Sequence, residues 1–141
     1  MKTDFNSIYL DTSPIIYILE NVEAYSERVH RFIVSHFCDN ATFTTSTITN
    51  TEYLVIPYRI QDYQKIMEFE RFKKILKIRV IAADDAITKC AAQIRAKYSG
   101  IKSMDALQLA SAMISGCDVF LTNDKQLRQV NEIQVLLVDD L

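Results

Sequence analysis

Glycine and proline are scarce in this sequence, with two of each in 141 residues. A phosphate cradle made of backbone N–H groups needs clustered glycines, whereas Gly100 and Gly116 are isolated from one another. A Walker-type loop and a dinucleotide-binding fingerprint are thereby excluded. Cysteine is sparse too. Cys38, Cys90 and Cys117 are odd in number and far apart, with no Cys-x-x-Cys pair to hold zinc or run redox chemistry, so free thiols in a reducing cytoplasm are expected. No apolar run approaches the roughly 18 residues of a membrane span. Residues 1–6 lack the charged-then-apolar order of a signal peptide. Low-complexity tracts, repeats and linkers rich in Pro, Gly or Ser are also missing. What remains is an ordinary globular composition, 49% hydrophobic and 24% charged, which predicts one domain over residues 1–141 with a core of its own.

The net charge of −2 hides a segregation along the chain. Residues 1–58 sum to −4, residues 59–102 to +6 and residues 103–141 to −4. A basic middle with acidic flanks reads either as a solvated helical surface or as a docking surface for a polyanion beside a carboxylate-rich site.

Short β-type runs alternate with helix-length segments throughout, which predicts an α/β three-layer sandwich with a central, mostly parallel sheet flanked by helices. Strands are expected at residues 7–10, 41–45, 78–82, 119–122 and 135–138. Ser13 is expected to cap a helix that begins at Pro14. Further helices are expected over 25–38, 47–58, 62–77, from Asp84 or Asp85 to about residue 98, and over 103–115. The last is apolar almost all round and should lie buried in the middle of the fold.

In parallel α/β sheets, ligands bind outside the carboxyl ends of the strands, so acids just after a strand or in the first turn of the next helix stand apart. Asp11, Glu52, Asp105 and Asp124 meet that description. Together they form an oxygen-only donor set suited to Mg²⁺ or Mn²⁺ rather than zinc or copper. Singly, each also has a structural explanation. Thr49-x-x-Glu52 fits a capping box, Asp105 suits a helix dipole, and Asp11 and Asp124 suit turns or caps. His30 and His36, six residues apart on one expected helix, point to nearly opposite sides and cannot share a metal.

At these residues the sequence resembles the PIN domain family, and within it the VapC-type toxins of toxin–antitoxin pairs. Residues 8–17, a hydrophobic strand ending in Asp11, are similar to the family's first motif. Residues 45–52, ending in Glu52, are similar to the second. Residues 105–112, opening with Asp105, and 120–124, closing with Asp124, are similar to the third and fourth. The resemblance implies a Mg²⁺- or Mn²⁺-dependent endoribonuclease, commonly a homodimer, inhibited by a cognate antitoxin protein. It carries over Asp11, Glu52, Asp105 and Asp124 as the acidic quartet, with Thr122 and Asn123 as auxiliary polar residues. Arg71, Lys73, Lys74, Lys77 and Arg79 are then expected to track the RNA backbone. Two other readings stay open: a nuclease-inactive PIN-like RNA-binding module, and a receiver-type phospho-acceptor domain. The receiver needs an acidic pair near the first strand, where this sequence offers Asp11 alone.

Overall fold

The computed structural model describes residues 4–141. Five strands, β1 (Ser7–Leu10), β2 (Thr42–Ser46), β3 (Arg79–Ile81), β4 (Val119–Thr122) and β5 (Gln134–Leu137), form one sheet in the order β3-β2-β1-β4-β5, every neighbouring pair parallel. Helices α1 (Thr12–Leu19), α2 (Ser26–Cys38), α3 (Ile48–Tyr53), α4 (Val55–Arg59), α5 (Tyr63–Ile75), α6 (Asp85–Lys97) and α7 (Ser103–Ile114) make the crossovers. This is the three-layer α/β sandwich expected. The order reverses between β1 and β4, which puts the crevice where ligands bind at the carboxyl ends of those two strands. It also differs from the 2-1-3-4-5 order of receiver-type domains, so that alternative does not fit the fold.

Both faces of the sheet are covered, as parallel sheets require. Ile8, Leu10, Phe43, Val119 and Leu121 pack with Ile15, Val29, Ile33 and Phe69 on the side of α1, α2 and α5. Tyr9 and Phe120 face the other way and stack at 5.3 Å between ring centres, among residues of α6 and α7. Alternation along each strand thus splits the core in two. Helix α7 is the buried helix anticipated from its composition, with Ala106, Leu109, Ala110 and Ala112 fully enclosed.

Three helices differ from the sequence reading by more than one residue. Helix α1 starts at Thr12, and its cap is Asp11, whose carboxylate accepts from the Thr12 N–H at 2.8 Å; Ser13 and Pro14 lie inside the first turn. Pro14 is tolerated there because the first N–H groups of a helix lack intrahelical partners anyway. The helix expected over 47–58 is broken at Leu54. Pro57 has no N–H to give the Tyr53 carbonyl four residues back, so the ladder cannot continue. Helix α5 begins after Asp62, which caps it through the Lys65 N–H, and ends before Lys77, which turns the chain with φ +51°.

Candidate active site

Asp11 directly follows β1. Leu10 pairs with Leu121, so Asp11 emerges beside Thr122, whose hydroxyl donates to Asp11 Oδ2 at 2.7 Å. The same Thr122 oxygen accepts from the Asp124 N–H at 3.1 Å, and Asp124 in turn caps a 3₁₀ turn (Lys125–Gln129) through the Gln126 N–H. Asp105 sits in the first turn of α7. Glu52, on α3, accepts at Oε1 from the Thr12 hydroxyl at 2.7 Å and from the Gln108 side-chain amide at 3.0 Å. The capping-box reading of Glu52 is therefore not what the structure shows: Thr49 is fully buried and shares a hydrogen bond with Thr45 at 2.9 Å, and α3 has no side-chain cap.

All four acids line one open cleft of about 390 Å³, together with Thr12, Ser13, Tyr17 and Asn123. Its electrostatics are those of a site short of positive charge. Burial pushes the Asp11 carboxyl up from 3.8 to about 7, partly offset by the Thr122 and Thr12 hydrogen bonds and reinforced by the charges of Glu52 and Asp105. Asp105 is also raised, by burial first and then by Asp124 and Glu52, with Lys102 pulling the other way. Among the described residues, no three carboxylate, imidazole or thiol groups stand close enough to enclose one ion by themselves. The cleft is thus an open, all-oxygen surface rather than a closed cage. That donor set fits a hard divalent cation that keeps several of its waters.

The remaining sequence-predicted residues divide. Thr122 touches Asp11, as above. Asn123 lines the cleft, but its side chain staples loops: Nδ2 donates to the Tyr17 hydroxyl at 3.2 Å and Oδ1 accepts from the Asp139 N–H at 3.1 Å. The basic residues expected to flank the acids do not. Arg71, Lys73, Lys74 and Lys77 line a separate groove of about 750 Å³ at the outer edge of the sheet, with no residue in common with the cleft. Arg79 reaches the Ser115 carbonyl at the far end of α7, about 15 Å along the helix axis from Asp105 at its start. The physical reason is the parallel crossover, which returns α5 to the amino-terminal end of edge strand β3 before the chain rises again.

Sequence reasoning missed Gln108 and Thr12. Gln108 is fully buried; its carbonyl accepts from the Ser46 hydroxyl at 3.0 Å and from the Tyr9 hydroxyl, while its amide donates to Thr12, Thr49 and Glu52. A polar residue inside an otherwise apolar helix was the available signal. Two exposed cations stand beside these elements in sequence, Lys102 immediately before α7 and Lys125 immediately after Asp124.

Comparison with known proteins identifies the family and the fold. The model of the PIN domain family matches residues 8–133. No curated protein matches. The fold is similar to that of a chain in DNA-bound VapBC from Salmonella typhimurium, at 18% identity and TM-score 0.73, covering 94% of this chain and 98% of that one. It is similar also to a chain in VapBC2 from Rickettsia felis bound to a promoter DNA fragment, at 14% identity and TM-score 0.72, covering 93% and 98%. A chain of FitAcB from Neisseria gonorrhoeae is likewise similar, at 20% identity and TM-score 0.68, covering 95% and 99%. Matched by the family model across the span that holds all four cleft acids, the chain belongs to the PIN domain family.

Proposed function

We propose that the protein is a metal-dependent endoribonuclease that hydrolyses RNA phosphodiester bonds, acting as the toxin of a toxin–antitoxin pair. One observation carries this reading: four carboxylates from four separate segments meet in a single cleft at the topological switch point, with one of them buried and short of a counterion. Membership of the PIN family and the likeness of fold to chains in toxin–antitoxin complexes support it.

In this reading Asp11 and Asp105 would hold Mg²⁺ or Mn²⁺ directly, Asp124 would complete the site, and Glu52 would reach the ion through water or position the attacking water. Bound there, the ion would lower the pKa of a water and stabilise charge on the leaving oxygen. The chain's own residues prepare the place. Thr122 and the Thr12 N–H fix both oxygens of Asp11. Thr12 and Gln108 grip Oε1 of Glu52 and set the direction of its carboxylate. Lys102, whose charge acts on Asp105, and Lys125, next to Asp124 in sequence, would meet phosphates of the bound RNA.

The antitoxin proposal rests on an apolar ridge. On and after α4, Ile56, Tyr58 and Ile60 are each about 60% exposed, and Tyr63 follows at 66%. Adjacent apolar side chains left in water mark a surface that a protein partner covers. Glu52 lines both the catalytic cleft and a small apolar cavity of about 200 Å³ beneath this ridge, so a partner seated there sits beside the acids. A homodimer belongs to the same proposal, and light scattering reads its mass. No helix among the described residues is long and apolar enough to cross a membrane.

The test is RNA cleavage with Mg²⁺ or Mn²⁺, with EDTA, and with the Asp11→Asn and Asp105→Asn variants. Cleavage should need the metal and both aspartates. Cleavage that survives EDTA or either substitution rejects the metal-nuclease reading, and RNA binding without any cleavage favours the nuclease-inactive module.

A further inference from the structure

The groove at the outer edge of the sheet is unused by the proposed nuclease chemistry, and its composition is unusual. Its floor is apolar, formed by Ile66 and Met67 of α5, and by Ile78 and Val80 leading into and along β3. Met67 is 64% exposed and Val80 39%. Arg71 and Lys74, on the same stripe of α5 as Met67, line the groove too, with Lys77; all three are exposed and none is in an ion pair with any described residue. Lys73, by contrast, is held by Glu70 at 2.9 Å and lies over the Phe69 ring. The groove runs beside β3, which has β2 on one side and, among the described residues, no strand on the other.

We propose that this groove docks an extended, acidic polypeptide segment, which adds beside β3 with apolar side chains on Met67, Ile78 and Val80 and carboxylates against Arg71, Lys74 and Lys77. Three features point to a peptide rather than a nucleic acid. An open strand edge offers backbone donors and acceptors at the repeat of another polypeptide strand. The floor is aliphatic, whereas single-stranded nucleic acid needs exposed aromatic faces on which bases stack, and no aromatic residue lines this groove. The cations and the aliphatic residues lie together on the α5 side of the sheet, so an added strand that carries both acidic and apolar residues among its every-second positions satisfies both at once. Lysines also guard open edges against pairing with other sheets, but guarding alone does not account for an apolar strip left beside them. The proposal does not depend on the nuclease reading.

The experiment uses the full chain and a fluorescein-labelled, strand-length peptide of the repeat Val-Ser-Glu-Ser, which puts valine and glutamate on one face, with the matching Val-Ser-Lys-Ser peptide and a single-stranded oligouridylate as comparisons. Anisotropy should show the acidic peptide binding, more weakly as salt rises, and amide resonances of Arg79, Val80 and Ile81 should shift. The double variant Arg71→Glu/Lys74→Glu, at exposed helix positions, should weaken binding about tenfold, and Met67→Ser should weaken it without changing the salt slope. Failure of the peptide to bind, or binding indifferent to the double variant, overturns the proposal. So does oligouridylate binding that shifts the same amides and is lost with the same variant, which would make the groove a nucleic-acid track. RNA cleavage by Arg71→Glu/Lys74→Glu reports separately on the nuclease reading.

Discussion

The replacement of Asp11 by asparagine tests whether the cleft is held together against its own charge. Asp11 is 7% exposed, and its carboxyl titrates near 7 instead of 3.8, chiefly through burial. The folded state therefore binds this proton more tightly than the unfolded chain does. Stability from this group is fully present below the unfolded value and is lost as pH rises through the folded one. At 1.36 kcal/mol per pKa unit, the shift from 3.8 to about 7 corresponds to a loss of about 4 kcal/mol between roughly pH 4 and pH 8. Asparagine keeps the shape: its Oδ1 accepts the Thr12 N–H, and its Nδ2 faces the Thr122 oxygen. In EDTA, Asp11→Asn should be more stable than the native protein above pH 7, by up to about 4 kcal/mol, and no more stable near pH 4. Urea denaturation followed by circular dichroism across that range measures both curves. Added Mn²⁺ should then raise the melting temperature of the native protein and leave that of the variant unchanged, because only a ligand bound to the folded state stabilises it. A variant less stable than the native protein at pH 8, or a native stability that does not fall with pH, would refute the argument from buried charge.

Other expectations follow from single contacts. Gln108→Leu removes the shared partner of Tyr9, Ser46, Thr12 and Glu52, leaving buried hydroxyls unpaired, so a loss of about 2–3 kcal/mol in urea midpoints is expected along with reduced cleavage. Phe69→Ala empties a fully buried site against Tyr53, whose ring lies 4.9 Å away, and should cost about 3–5 kcal/mol in the same measurement. Lys102→Ala and Lys125→Ala should each lower the salt slope of RNA binding by about 1, as expected for one lost phosphate contact; unchanged slopes would remove these lysines from the site.

Much of the fold was legible because the signals are local. β1, α2, α7 and β4 follow from alternation, periodicity and composition, and their observed bounds lie within one residue of those read from the sequence. The strand-end acids were legible for a similar reason, since the position of Asp11 and Asp124 relative to β1 and β4 is short-range information. The environment of Glu52 was not. Its partners are Thr12, 40 residues earlier, and Gln108, 56 residues later, and only folding brings them together. The local capping-box pattern therefore suggested the wrong partner for a residue singled out for another reason. The basic segment shows the same limit. Its charge is plain in the sequence, but the distance of that charge from the acids depends on which strand it precedes.

The scarcity of glycine, the all-oxygen character of the strand-end acids and the excess positive charge of residues 59–102 are fixed by sequence alone, because composition and short-range periodicity need no tertiary contact. The strand order was decided only in three dimensions. Pairing β1 with β4 across the 108 residues between them, Leu10 beside Leu121, is what sets Asp11 against Thr122 and makes a buried carboxylate out of a helix cap. The same order leaves β3 at the edge, which carries the lysines and arginines away from the cleft and beside an aliphatic strip. Long-range pairing is chosen by the burial of both sheet faces at once, a property of the whole chain that no local stretch encodes.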